Sequence, residues 1–148
     1  MTHSFIQSVQ WKENHLLLLD QNRLPEETRY LKIDTIEEVW KAIRQLTVRG
    51  APAIGITAAY GLYLGVQHLS YGNVQELIED LKAKAEFLSQ ARPTAINLRW
   101  ALMRLLTRAE TDGAHGCSTE EMKAGLLAEA FGFKKKMKKH AAGSASMD

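Results

Sequence analysis

Two arginines followed closely by proline are the residues best suited to chemistry. Arg49 stands in Val48-Arg49-Gly50-Ala51-Pro52-Ala53-Ile54-Gly55, and Arg92 in Gln90-Ala91-Arg92-Pro93-Thr94-Ala95-Ile96-Asn97-Leu98. Pro52 suits the first turn of a helix, where its missing N–H costs nothing, and Gly50 lets a bound group approach the backbone. A helix N-terminus presents free N–H groups and a positive dipole end, so an adjacent guanidinium makes a site for phosphate or carboxylate. The second motif repeats the pattern, with Arg92 just before a proline expected to open a helix, and the two could converge on one phosphate. The plainer alternative is that Gly50 and Pro52 punctuate a loop and that Arg92 is a solvated cation. Gly50 and Gly55 have the spacing of a Walker A loop, but Ile56-Thr57 stand where Lys-Ser/Thr is required, which excludes that phosphate-binding chemistry.

Other reactive residues are isolated. His15, His68 and His115 lack metal-ligand spacing and read as core or loop residues, so no metal site is expected. Cys117 lies two residues from His115, with no carboxylate or amide placed to orient the imidazole. Glu37-Glu38 and Glu120-Glu121 fall in first helical turns, where they complement the helix dipole.

The elements that must position the two motifs are a short β region and a set of helices. Phe5 to Trp11, His15 to Asp20 and Thr28 to Ile33 read as strands, two of them forming a hairpin. Ile36, Val39, Trp40 and Ile43 then keep helical spacing to about Leu46, behind a Thr35/Glu38 capping box. From Gly50 to Gln75 there is no formal charge. The apolar run from Ala51 to Val66 is short of the ~20 residues a bilayer requires, so Gly61 and Gly65 are read as points of close helix approach. Val74 to Leu88 and Leu98 to Ala109 give two amphipathic helices, and a Ser118/Glu121 capping box opens another to about Ala130. The expected class is α+β: a small N-terminal antiparallel sheet followed by a helical bundle. No alternation of strands and helices suggests a doubly wound sheet.

The 148 residues, 45% hydrophobic and 24% charged, suffice for one globular domain. Their net charge of +2 hides an asymmetry. Residues 131–148 hold five lysines against Asp148, whereas residues 1–130 hold 14 basic and 16 acidic side chains. Five lysines without interleaved aromatics offer weak, salt-sensitive attraction, so neither nucleic acid nor a membrane is expected as partner. The single cysteine precludes an internal disulfide and fits a cytoplasmic setting, and Met1 to Ser4 lack the character of an export signal.

Taken in order, Leu46 to Gly55 and Ala91 to Leu98 closely resemble the amino-terminal part of the aldose–ketose isomerase family that includes methylthioribose-1-phosphate isomerases. Initiation factor 2B regulatory subunits share that family. The resemblance extends through Trp11, the Leu16-Leu17-Leu18-Leu19-Asp20-Gln21 run, Leu24-Pro25 and Ile36 to Ile43, and covers about Phe5 to Ala130. It implies conversion of 5-methylthioribose 1-phosphate to 5-methylthioribulose 1-phosphate in methionine salvage, without a cofactor. It also implies substrate contacts by Arg49, Gly50, Ala51 and Arg92, and a full-length homodimer. Catalytic Cys and Asp residues belong to a larger Rossmann-like domain absent from this sequence, so no catalytic residue is assigned and the chain alone is expected to be inactive. The alternative is a non-catalytic binding module of the initiation-factor kind. Residues 131–148 depart from the family: with permitted codons, a neighbouring frame reads Glu-Asp-Glu-Glu-Thr-Cys-Arg-Arg, which resembles the family continuation. The expected organisation is an N-terminal isomerase domain over 1–130 and an out-of-frame, disordered basic tail over 131–148.

Overall fold

The computed structural model describes residues 8–147, with side chains as far as Met137; Phe5 to Gln7, expected to open the first strand, lie outside the described residues. Three strands, β1 (Val9–Lys12), β2 (His15–Leu19) and β3 (Tyr30–Ile33), form an antiparallel sheet in the order β1-β2-β3. Lys12 pairs with His15 across a two-residue turn. Its central residues, Glu13 and Asn14, have φ of 52° and 66°, the left-handed geometry that matches strand twist in tight hairpins. Leu16 and Leu18 turn one face of β2 to the core.

Five helices follow among the described residues: α1 (Ile36–Arg44), α2 (Ala51–Leu64), α3 (Val74–Ser89), α4 (Ile96–Ala114) and α5 (Thr119–Met147). The Thr35/Glu38 capping box is present at α1. That helix stops short of Leu46, which adopts φ of 60° and cannot continue a right-handed helix. At the start of α5 the Ser118 hydroxyl accepts from the Glu121 N–H at 3.1 Å, and the Glu121 carboxylate accepts from the Ser118 N–H at 2.8 Å.

The uncharged stretch finds its reason in α2, which packs against the other four helices and against β1 and β2. Nearly every residue from Ala53 to Leu64 is buried, so a charge there would have to be desolvated. Among the described residues no helix is long and apolar enough to cross a membrane. Gly61 lies under Val39 of α1, and Gly65 under Ile36 and Lys84. The glycine pair thus brings α1 and α3 close to α2. Tyr60 stacks on Trp11 of β1, ring centroids 5.1 Å apart, which joins sheet to bundle.

The last helix and its buried seam run on past residue 130. Helix α5 crosses it, and Phe133 and Met137 enter the core on the same seam as Met122, Leu126 and Ala130. Among the described residues, 131–147 thus continue helix α5. The spacing 126, 130, 133, 137 keeps apolar groups on one helix face, and Lys134, Lys135 and Lys136 lie off it. Lys134 donates to the Val9 carbonyl at 2.7 Å, and Lys136 lies over the Trp100 ring at 5.1 Å. Ion pairs also tie α5 to α4: Arg104 donates to Glu129 at 2.5 Å, and Arg108 to Glu129 at 3.1 Å.

Candidate functional site

Arg49 sits in the connection between α1 and α2, which is fastened to the β2–β3 loop. The Gln21 N–H donates to the Thr47 carbonyl at 2.9 Å, and the Asn22 amide donates to the Gln45 carbonyl at 3.3 Å. Thr47 and Val48 are buried, whereas Arg49 and Gly50 are exposed. The Arg49 guanidinium donates through Nε to the Leu46 carbonyl at 3.1 Å and through Nη2 to Asn22 Oδ1 at 2.6 Å. Gly50 precedes the first residue of α2 with φ of 93°, a conformation that penalises a side chain. The position its Cβ would occupy is open space, so the backbone there is approachable.

Arg92 is half-buried in the turn before α4. Pro93 does not open that helix, as its place in the sequence suggests. The Ala95 N–H donates to the Arg92 carbonyl at 3.0 Å and closes a separate turn, and α4 begins at Ile96. A residue before proline is driven out of helical geometry, so Arg92 stands ahead of the helix and not within its first turn. Pro52 does occupy the first turn of α2.

The two helix starts nevertheless meet. Ala51 and Ile54 of α2, Arg92, Thr94 and Ala95 of the turn, and Ile96 and Asn97 of α4 line one cleft of about 220 Å3. Gly55 makes the approach possible, since a Cβ there would lie 3.0 Å from the Asn97 carbonyl oxygen. Ala51 and Arg92 thus share the cleft. Arg49 and Gly50 are beside it in sequence but do not line it.

The capping pattern distinguishes this place. Helices α1, α3 and α5 each carry a side-chain cap, from Thr35, Asn73 and Ser118, and acidic residues in the first turn. Helices α2 and α4 have neither a side-chain cap nor a first-turn acid. Both helix starts border the cleft without a first-turn carboxylate, an arrangement that suits an anionic ligand. Thr94 and Asn97 add polar groups, while Ile54 and Ile96 supply an apolar wall. Among the described residues no carboxylate, thiol or imidazole lines the cleft. The arrangement can hold a phosphorylated molecule but contains no group suited to move a proton.

A larger groove of about 440 Å3 runs between α4 and α5, past Trp100, Arg104, Arg108 and Glu129. Its arginines are already neutralised by Glu129 and Asp112. Burial pushes the Glu129 carboxyl up, but hydrogen bonds from Arg104 and Arg108 outweigh it and hold the group below its usual range. His15, His68 and His115 do not line the cleft: His15 contacts Asp34 at 2.8 Å, and His115 meets the Thr111 carbonyl at 2.8 Å. Cys117 is a free thiol. No cluster of three or more His, Cys, Asp or Glu is placed to hold a metal among the described residues.

Sequence reasoning overlooked Asn22, which lies 27 positions from Arg49 and carries no local signal of their contact. Thr94 and Asn97 stood inside a motif that was read for its arginine.

Comparison with known proteins gives consistent matches. The model of the initiation factor 2 subunit family matches residues 47–145. A methylthioribose-1-phosphate isomerase of Bacillus licheniformis is 48% identical over 124 residues, covering 84% of this chain and 34% of that protein. A 5-deoxyribose 1-phosphate isomerase of Bacillus thuringiensis is 48% identical over 122 residues, 82% of this chain and 35% of that protein. Among solved structures, 5-methylthioribose 1-phosphate isomerase from Pyrococcus horikoshii superposes with a TM-score of 0.78 at 33% identity. The translation initiation factor eIF-2B subunit delta from A. fulgidus gives 0.77 at 38%. Each structural match covers 87% of this chain and 36% of the other. The chain therefore spans about a third of the length of the curated relatives it matches.

Proposed function

The chain belongs to the initiation factor 2 subunit family, and from that premise we propose that it is the amino-terminal, substrate-contacting part of a sugar-1-phosphate isomerase. Its ligand is a ribose 1-phosphate modified at C5, of the kind named for the relatives: 5-methylthioribose 1-phosphate or 5-deoxyribose 1-phosphate. The observation that carries this reading is the convergence of two uncapped, acid-free helix N-termini with Arg92 on one cleft. Arg92, the two sets of N–H groups and the nearby Arg49 hold the phosphate, and Ile54 and Ile96 provide an apolar surface for the C5 substituent. Gly50 and Ala51 let the sugar phosphate reach the backbone.

Aldose–ketose conversion moves a proton between adjacent carbons, which requires a positioned acid or base. The cleft has none, so the contribution of these residues is orientation and charge stabilisation, and this chain alone does not turn over the substrate. In the corresponding full-length protein, acting in methionine salvage in the cytoplasm as a homodimer, residues beyond this chain complete the chemistry. We place residues 1–130 in the family domain, followed by a lysine-rich segment read out of frame.

Calorimetric titration with 5-methylthioribose 1-phosphate tests the reading. Binding is weakened about tenfold or more by Arg49→Ala and by Arg92→Ala, as expected for loss of a charge-assisted contact. Undiminished binding in both variants refutes the site. A binding module of the initiation-factor kind is the second reading, supported by the similar fit of the A. fulgidus subunit. It gives no preference for the sugar phosphate over inorganic phosphate.

A further inference from the structure

We propose that Asn22 is a positioning residue that fixes the Arg49 guanidinium beside the start of α2 while leaving its charge intact. This rests on the reading of Arg49 as a phosphate contact and adds a residue to it.

Asn22 is held at three points. Its N–H donates to Asp20 Oδ1 at 3.0 Å, its Nδ2 donates to the Gln45 carbonyl at 3.3 Å, and its Oδ1 accepts from Arg49 at 2.6 Å. The amide orientation follows from these partners. Turned over, it would set its NH2 against the guanidinium and its oxygen against a carbonyl, two repulsive pairs. A side chain with a donor at one corner and an acceptor at the other is therefore required. Arg49 Nε is bound to the carbonyl of Leu46, a residue with φ of 60°. Such a left-handed non-glycine residue is a strained conformation that the surroundings must maintain.

Both acceptors bound by Arg49 among the described residues, the Leu46 carbonyl and Asn22 Oδ1, are neutral. Arg104, Arg108 and Arg23, by contrast, are each paired with carboxylates. A carboxylate would hold Arg49 equally well but would cancel the charge that an anionic ligand needs. An amide holds it and cancels nothing. A long arginine side chain fixed in advance loses less rotamer freedom when the ligand arrives.

The test compares the wild-type chain with Asn22→Ala and Asn22→Asp, each with and without Arg49→Ala. The Arg49 Nε–H nuclear magnetic resonance signal reports restraint without any ligand, and titration with 5-methylthioribose 1-phosphate reports affinity. In Asn22→Ala the signal should collapse into that of freely rotating arginines, with affinity falling about five- to tenfold. In Asn22→Asp the signal should persist while affinity falls at least as far. Neither substitution should weaken binding further once Arg49 is Ala. A restrained Arg49 signal in Asn22→Ala overturns the proposal, as does an affinity loss that persists in the Arg49→Ala background. A wild-type chain that binds no sugar phosphate, but loses Arg49 restraint in Asn22→Ala, rejects the isomerase reading and retains the positioning contact.

Discussion

Replacing Gly61 by Ala offers a direct measure of how tightly α1 is seated on α2. A Cβ at this position would lie 2.6 Å from Val39 Cγ1, 3.1 Å from its Cβ and 3.2 Å from its Cγ2. Carbon atoms favour separations of about 3.5–4.0 Å, so Val39 must retreat by roughly 1 Å. It is fully buried, and a β-branched residue in a helix has one strongly preferred rotamer. The close contact with Val39 Cβ means that rotation gives no escape. The strain belongs at the upper end of the ~1–3 kcal/mol range for overpacking. Ala gains about 1 kcal/mol over Gly as a helix former, which leaves about 2 kcal/mol of destabilisation. For a chain of this size that lowers Tm by about 4–8 °C. Gly65→Ala is the internal control. Its nearest neighbours, Lys84 Cδ at 2.9 Å and Ile36 Cδ1 at 3.0 Å, belong to a lysine stem and an isoleucine tip with rotatable bonds between them and the backbone, so the loss should be smaller. Val39→Ala removes both offending methyl groups, and the double variant with Gly61→Ala should be more stable than the sum of the single losses predicts. Thermal and urea unfolding of the parent and these four variants decide the matter. Unchanged or raised stability in Gly61→Ala, or strict additivity with Val39→Ala, refutes the close packing inferred for this pair.

Two further outcomes concern helix α5. Phe133→Ala should cost about 3–5 kcal/mol, the usual range for deleting a buried aromatic ring, because Phe133 is fully enclosed and meets Trp100 with centroids 5.7 Å apart; an unchanged unfolding midpoint shows that the lysine-rich segment does not join the core. Glu129 titrates below its ordinary range in the folded chain, so the folded state binds protons less readily than the unfolded state. Its stabilising contribution is present above the unfolded value of about 4.3 and fades as pH falls through the lower folded value. Urea unfolding from pH 7 to pH 3 should therefore show a steeper acid loss in the parent chain than in Glu129→Gln, and parallel profiles contradict the assignment.

Local signals in the sequence translated well where the physics was local. Thr35 with Glu38 and Ser118 with Glu121 announced two helix starts, because a capping box is completed within four residues. The Gly61/Gly65 spacing announced a close helix approach, though not which helices would make it. Pro93 misled, since the same residue that pre-sets a helical φ also expels its predecessor from helical geometry, and here the second effect moved the start of α4 to Ile96. Leu46 ended α1 early through a left-handed conformation for which its type gives no warning. Of the candidate site, the places of Ala51 and Arg92 beside helix starts were legible from the neighbouring prolines. Their meeting depended on Gly55 admitting the Asn97 carbonyl, a tertiary fact. Asn22 was hidden for the same reason: its value arises from a loop placed against Arg49 by the sheet.

The seam of α5 has one more consequence. Its last two core positions, Phe133 and Met137, come from a stretch whose composition differs sharply from the rest of the chain. The groove between α2 and α4 accepts them because packing there tests the size and apolarity of every third or fourth residue and ignores what lies between. A gene could therefore reword much of this segment while the fold continued to read it as helix, with the strictest demand at Phe133 and Met137 and a weaker one where Phe131, Lys134 and Lys136 touch Tyr60, the Val9 carbonyl and Trp100.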